Sequence, residues 1–297
     1  METTIDVRPE SAKQVSVGSS VVVGLAVAVF VLATIAALSG LLSGGQGPDT
    51  AVNVYGESVT LHGEGLYRHD TVFRAGANLG TDVLTLVLGL PFLAATTVMY
   101  RRGSAIGAVL LSGAFAYFLY LYSTMSLATA YNEMFLVYVA LFGTSLFGLA
   151  LTIRSIDAER IDTLIGGAAP RRALAILMVA SGVVTAGVWL LPLVGALAAG
   201  EPPKLLDTST TMVTDALDLA IITPSTLLAG VLLLRRRPEG WLIAFPQSEH
   251  AEQKLAMALL DHHLRRLTCG SDKLLLLHFG KTLESLFQSF NGRITEL

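Results

Sequence analysis

Apolar residues gather in six long runs, separated by short stretches rich in polar residues. Each run has about the 20 residues that a helix needs to cross the ~30 Å hydrocarbon layer of a bilayer. No acidic or basic residue lies in the middle of any run. The pattern predicts an all-α, polytopic transmembrane helix bundle. Its six predicted spans are residues 17–42, 79–99, 105–123, 134–153, 173–199 and 212–234.

Lys and Arg divide unequally between the two sets of connections. One set carries eleven: Arg8, Lys13, Arg101, Arg102, Arg154, Arg160, Arg171, Arg172, Arg235, Arg236 and Arg237. The other set carries three, which are Arg68, Arg74 and Lys204. Cytoplasmic loops collect Lys and Arg, so we expect the amino terminus and the carboxyl-terminal tail to be cytoplasmic.

Composition agrees with a membrane protein. The chain is 53% hydrophobic and 14% charged, with a mean hydropathy of +0.62. We expect the protein to lie in the lipid bilayer of the plasma (inner) membrane. We expect no nucleic-acid partner, because the positions of the basic residues are explained by the orientation of the spans in the membrane. The single Cys269 permits no internal disulfide, and no cofactor is identified. The first run exceeds the usual signal-peptide core, which favours an uncleaved helix over a cleaved signal.

The largest connection is an outer loop, residues 44–78. Val52–Tyr55 and Ser58–His62 read as two strands of a short β-hairpin, with Gly56–Glu57 as a two-residue turn. Residues 66–77 read as a short helix lying at the membrane interface, separate from the second span.

Residues 1–246 form the predicted transmembrane domain, and the chain changes character after it. Residues 247–297 are rich in charge and have the periodicity of two amphipathic helices. We predict a helical cytoplasmic tail, and we hypothesise that it is a replaced or fused terminus rather than the native end of this fold.

Ionisable residues inside spans are costly and are functional candidates by default. Oxygen ligands would suit a hard cation, and a mixed histidine and carboxylate group would suit a transition metal. The competing interpretation is that these carboxylates are hydrated helix ends, with Asp82 and Asp215 acting as caps. The candidate ligands are Asp218, Asp215, Asp82, Glu133, His62 and His69, with Asp218 the deepest.

Two further residues are candidates for ligand contact or gating. Tyr117 lies deep in the third span and needs a hydrogen-bond partner, whereas Tyr120 and Tyr122 read as residues of the interfacial aromatic belt. Pro224 would kink the sixth span, either as a gating hinge or as a packing feature. We recognise no internal repeat, so an inverted-repeat transporter lacks its usual sequence support.

Several short motifs lie within residues 60–150. They are residues 65–72 (GLYRHDTV), Gly80-Thr-Asp82, the span end Leu88-Gly-Leu-Pro91, Arg101-Arg102-Gly103, residues 113–120 (GAFAYFLY) and residues 135–141 (FLVYVAL). In these motifs the chain resembles an uncharacterised family of bacterial and archaeal polytopic membrane proteins. The resemblance implies a multi-span fold without an assigned activity or catalytic residues.

Three functions stay open. The first is transport, channel activity or sensing of a small solute or ion from the extracytoplasmic side. The second is a membrane scaffold or assembly subunit, alone as a homo-oligomer or with a membrane partner, for which the small-residue pairs Gly40–Gly44 and Gly103–Gly107 would provide packing. The third is an enzyme acting on a lipid-linked group, with His62, His69, Asp82 and Asp218 as acid–base candidates.

Overall fold

A computed structural model describes residues 18–45, 47–165 and 171–244. Within that part, the chain is mostly helical and contains six helices that are long and apolar enough to cross a membrane, which confirms a multi-pass bundle. The predicted tail helices, in residues 247–297, lie outside the described residues.

Four spans are single helices, and two are composite. The single ones are α1 (Ser20–Leu42), α4 (Ala105–Ala128), α5 (Phe135–Arg154) and α7 (Arg171–Ala199), with the short α6 (Ala158–Ile165) between α5 and α7. The second span joins α2 (Val72–Leu84) and α3 (Leu90–Arg101) through a π-helical segment, Thr85–Gly89. The sixth joins α8 (Val213–Leu217) and α9 (Thr223–Leu234) through a π-helical segment, Asp218–Ile222.

The second span begins earlier than the sequence predicts. A 3₁₀ turn occupies Gly65–Tyr67, and Thr71 then caps the helix by accepting a hydrogen bond from the Arg74 N–H. From Val72 the helix is continuous with the span, so the prediction of a separate interfacial helix over residues 66–77 is wrong. The Thr71 cap sets the start of the helix at Val72, although the first turns of the helix contain polar residues that the hydropathy pattern excludes from a span.

The predicted hairpin is present, but its turn is longer, and the prediction of a first strand over Val52–Tyr55 is wrong. Strands β1 (Asp49–Val52) and β2 (Ser58–Leu61) pair antiparallel, with Val52 opposite Ser58. Residues 53–57 therefore connect them, and the predicted two-residue turn is wrong. The Asn53 side chain explains the difference, because its Oδ1 accepts the backbone N–H groups of Tyr55 and Glu57.

The loops gather at two opposite ends of the bundle. At one end, which we call the hairpin end, lie residues 43–71, 129–134 and 200–212, joined by contacts such as the Ala130 N–H donating to Asp70 at 2.9 Å. At the other, the arginine end, Trp241 and Arg171 both donate to the Asp162 carboxylate, and the Arg171 guanidinium lies over the Trp241 ring.

Glycines allow the helices to approach closely, as is common in membranes. A Cβ on Gly148 of α5 would lie 2.3 Å from the Phe115 ring of α4, and one on Gly230 of α9 would lie 2.6 Å from Val179 of α7. The central helix α4 is the most enclosed of the six spans, and it packs against α3 and α5. This position places the tyrosines of α4 inside the bundle.

Candidate polar sites within the spans

Asp218 is fully buried in the sixth span. It is the first residue of the π-helical segment, and donors from two other spans hold its carboxylate. The Tyr120 hydroxyl of α4 donates to Oδ1 at 2.9 Å, and the Trp189 indole N–H of α7 donates to Oδ2 at 2.8 Å. Asp218 therefore joins three spans through its two carboxyl oxygens.

A second carboxylate lies one turn closer to the hairpin end. Asp215 is 5% exposed, and it interacts electrostatically with Asp218. The Thr223 hydroxyl, at the first residue of α9, is buried and makes no hydrogen bond to any described residue. The spans carry Lys, Arg and His only in their first and last turns. Asp215 and Asp218 therefore form a pair of buried carboxyl groups one helical turn apart.

Asp82 is the corresponding carboxylate of the second span, and it is 4% exposed. Its Oδ2 accepts the Tyr67 hydroxyl at 2.8 Å. Burial, and then the charge of Asp82, raise the pKa of Tyr67 well above its usual range, so that Tyr67 remains a donor. The space for this pair comes from Gly40 of α1, where a Cβ would lie 2.0 Å from Asp82 Oδ2.

Further tyrosines surround Asp82. Tyr117 and Thr85 form a hydrogen bond of 3.0 Å between their hydroxyls, so the predicted partner for Tyr117 exists. The rings of Tyr122 and Tyr138 stack with centroids 6.0 Å apart. The buried Tyr138 hydroxyl interacts with Tyr67, Asn132 and Asp82, but none of these contacts has the distance and angle of a full hydrogen bond. Asp82 thus lies in a buried group of phenols.

These contacts decide against the hydrated-end interpretation for the three span carboxylates. Asp82 lies ten residues inside a helix that begins at Val72, so it cannot be its cap. Asp215 does lie in the first turn of α8, as a dipole-stabilised residue would, but it is buried. Asp218 follows at the start of the π-helical segment, deeper still.

The remaining candidates lie at the hairpin end and outside these two groups. Glu133 is exposed and pairs with Arg68 at 2.7 Å, which lowers the pKa of that carboxyl. His69 accepts a hydrogen bond from Arg68, and the backbone N–H of His62 donates to the Asp70 carbonyl. Among the described residues, no three His, Cys, Asp or Glu side chains come together as a metal site.

Asp70 is a buried carboxyl that the sequence did not single out. It is 2% exposed, and its Oδ1 accepts the Ala130 N–H. Burial raises the pKa of Asp70 to about 6, although the Ala130 hydrogen bond and the charge of Arg74 oppose the shift. Arg74 in turn donates to the Ala128 carbonyl. Asp70 therefore ties the first loop to the connection between α4 and α5.

A cavity of about 600 Å³ opens at the hairpin end, between the hairpin and the loop before α8. Its charged lining comprises Glu57, Glu201, Asp207 and Lys204. The Asn53 side chain donates to the Asp207 carbonyl at 3.2 Å and joins the two walls. Acidic groups outnumber the basic one, so this cavity would attract cations rather than anions.

Several site residues escaped sequence reasoning. Tyr120 and Tyr122 are not belt residues: one donates to Asp218, and the other is buried against Tyr138. The roles of Tyr67 and Trp189 depend on contacts between distant parts of the chain, and no local pattern marks them. The only available signal was that α4 places several tyrosines within two turns.

Comparisons with protein-family models, with curated proteins and with solved structures find no match to this chain.

Proposed function

We propose that this chain is an integral membrane protein that takes up a small cation, a proton or a metal ion, from the extracytoplasmic side for transport or sensing. Asp218 is the central ligand, and Asp215 assists it. The observation that carries the proposal is the complete burial of Asp218 between three spans, with both carboxylate oxygens held by side-chain donors. A buried carboxylate within a span is expensive and is usually retained for function.

The surroundings favour a cation over other small solutes. Asp215 adds a second negative charge one turn away, and no basic residue lies in the spans beyond their first and last turns. A proton or a cation bound between the two carboxylates would reduce their repulsion. The buried Thr223 hydroxyl supplies a further oxygen near the end of the π-helical segment, and such segments are frequent at functional sites.

The excess of Lys and Arg at the arginine end favours a cytoplasmic position for that end. The hairpin end, with its acidic cavity, then faces outside and gives the entrance. The surrounding partner is the lipid bilayer of the plasma membrane, with the amino terminus inside. The scaffold and enzyme alternatives stay predictions.

The test is the thermal stability of the detergent-purified full-length chain in a panel of monovalent and divalent cations and across pH. Asp218→Asn is compared with wild type, and Asp49→Asn serves as control because Asp49 is exposed on the hairpin. Asparagine keeps the size and an acceptor oxygen, so that Tyr120 retains a partner.

The proposal predicts that at least one cation, or protonation alone, stabilises wild type and Asp49→Asn but not Asp218→Asn. An equal response of all three proteins to every cation and to pH would contradict it.

A further inference from the structure

The second and sixth spans share a sequence pattern. Both read Thr-Asp-x-Leu-x-Leu followed by four residues and Pro, once over Thr81–Pro91 and once over Thr214–Pro224. Each residue of the second copy lies 133 positions after its counterpart, as Asp215 lies after Asp82. The expectation that the chain has no internal repeat is therefore wrong.

The structure repeats in the same register. The π-helical segments Thr85–Gly89 and Asp218–Ile222 begin and end at corresponding positions, and α3 and α9 both have 12 residues. The proline explains the wide turn, because its ring would collide with the carbonyl four residues earlier in a regular α-helix. Corresponding residues are buried along both helices, including Leu93 with Thr226 and Tyr100 with Leu233.

The turns that end the two spans also correspond. The backbone N–H of Arg102 donates to the Val98 carbonyl, as that of Arg235 donates to the Val231 carbonyl. Likewise, the backbone N–H of Ser104 donates to the Met99 carbonyl, and that of Arg237 donates to the Leu232 carbonyl. In the first copy Gly103 has a φ of +81°, and in the second Arg236 takes a φ of +56°, which is rare for a residue with a side chain.

The correspondence continues into the next helix. A Cβ on Gly107 would collide with Met99 and Tyr100, and one on Gly240 would collide with Leu232 and Leu233. These pairs are separated by the same 133 positions. The repeat therefore extends over residues 81–111 and 214–244, and both copies run from the hairpin end to the arginine end.

The fifth position of the motif contacts α4 in both copies. It is Thr85 in the first copy and Asp218 in the second, and both residues are fully buried. Thr85 shares a hydrogen bond with Tyr117, and Asp218 accepts one from Tyr120. Tyr117 and Tyr120 are three residues apart and lie on one face of α4. One turn of α4 therefore serves both copies.

The first copy also has the features of a ligand site. Asp82, at the second motif position, is buried and is held by Tyr67. The hydroxyl of Tyr138, which is 2% exposed, interacts with Tyr67, Asn132 and Asp82, but none of these contacts has the distance and angle of a full hydrogen bond. A buried polar atom normally has a partner. This hydroxyl could contribute its oxygen to a bound cation.

We infer that the chain has two corresponding sites for the same small cation, one in each repeat. The first is centred on Asp82, and the second, which rests on the proposed function, is formed by its counterpart Asp215 together with Asp218. Helix α4 contacts both copies, because Tyr117 bonds to Thr85 and Tyr120 bonds to Asp218. Binding at one site therefore changes the affinity of the other through this turn of α4.

The test counts cations bound per full-length chain in detergent. Proton uptake is measured between pH 9 and pH 5 without added metal ion, and binding of the stabilising metal ion is measured by equilibrium dialysis at constant pH. The two arms distinguish a proton from a metal ion. The proteins are wild type, Asp82→Asn, Asp218→Asn, the double variant, and Asp49→Asn as control.

Each single variant should bind one cation fewer than wild type in one of the two arms, and the double variant two fewer. The remaining site of each single variant should bind at least 3-fold more weakly or more tightly than in wild type. If Asp82→Asn binds as many cations as wild type while Asp218→Asn loses one, the site in the first copy is refuted and the proposed function stands. If neither variant loses a cation, the proposed function itself fails. Equal thermal stability of the variants and wild type, measured at one pH without added metal ion, would exclude loss of the fold as the cause.

Discussion

Gly40 gives the most direct test of the geometry around Asp82. A methyl group at this position of α1 would lie 2.0 Å from Asp82 Oδ2 and 3.0 Å from the Tyr67 hydroxyl. Neither distance is tolerable, so Gly40→Ala must displace the carboxylate and break its hydrogen bond to Tyr67. Inserting a methyl group into a packed interior costs about 1–3 kcal/mol, and leaving a buried polar group without its hydrogen bond costs about 1–3 kcal/mol.

The expected loss is therefore about 2–6 kcal/mol, or a fall in the thermal midpoint on the order of 10 °C. The matched control is Gly24→Ala in the same helix, where an added Cβ meets nothing within 4 Å. Alanine is the better helix former, so the control should be neutral or more stable by up to about 1 kcal/mol. The assay is thermal unfolding of the purified proteins in one detergent.

A second substitution identifies the colliding group. Adding Asp82→Ala to Gly40→Ala removes the carboxylate that the new methyl group meets, so the double variant should be less damaged than the sum of the single losses by about 1–3 kcal/mol. Strict additivity, or a Gly40→Ala variant as stable as Gly24→Ala, would refute the close approach of α1 to Asp82.

Three further predictions concern single residues. Burial raises the pKa of Asp70 in the folded state from 3.8 to about 6, so ionisation of Asp70 opposes folding. Relative to Asp70→Asn, the stability of wild type should fall by a total of about 3 kcal/mol as pH rises from about 4 to 6, and its thermal midpoint should fall with it and stay level above pH 6. A difference between the two midpoints that does not change with pH would contradict this. Gly107→Ala should lower the thermal midpoint, because the added Cβ would lie 2.6 Å from Met99 Cβ. Gly143→Ala should not lower it, because no atom lies within 4 Å of the added Cβ. Equal midpoints of the two variants would refute the close contact between Gly107 and Met99. Glu133→Gln should leave the midpoint unchanged, since its pair with Arg68 is exposed, and a clear fall would show that this pair has a structural role.

The six spans were predictable because hydropathy and length alone determine which segments can cross a bilayer. The hairpin and its second strand were predictable, but the first strand lies three residues earlier than predicted because the Asn53 side chain begins the turn there. The start of the second span was not, since the hydropathy of residues 72–78 is low and only the Thr71 cap marks the helix.

The sites were predictable only in part. Asp82, Asp215 and Asp218 stood out because carboxylates are rare in spans. Their partners Tyr67 and Trp189 lie 15 and 29 residues away along the chain, in other elements, and no local pattern indicates such contacts. The repeat was hidden for a related reason. Its shared residues are mostly Leu, Thr and Pro in an apolar background, and the loops before the two copies differ in length.

Cation flux into proteoliposomes tests the central claim most directly. Wild type, Asp218→Asn and the exposed control Asp49→Asn are reconstituted at equal density, and uptake of protons or of the stabilising metal ion is followed under an imposed gradient. We predict uptake or saturable binding of the cation by wild type and the control, with at least a 10-fold loss in Asp218→Asn. Equal uptake and equal binding by all three proteins would show that the buried carboxylate of the sixth span is not a cation site.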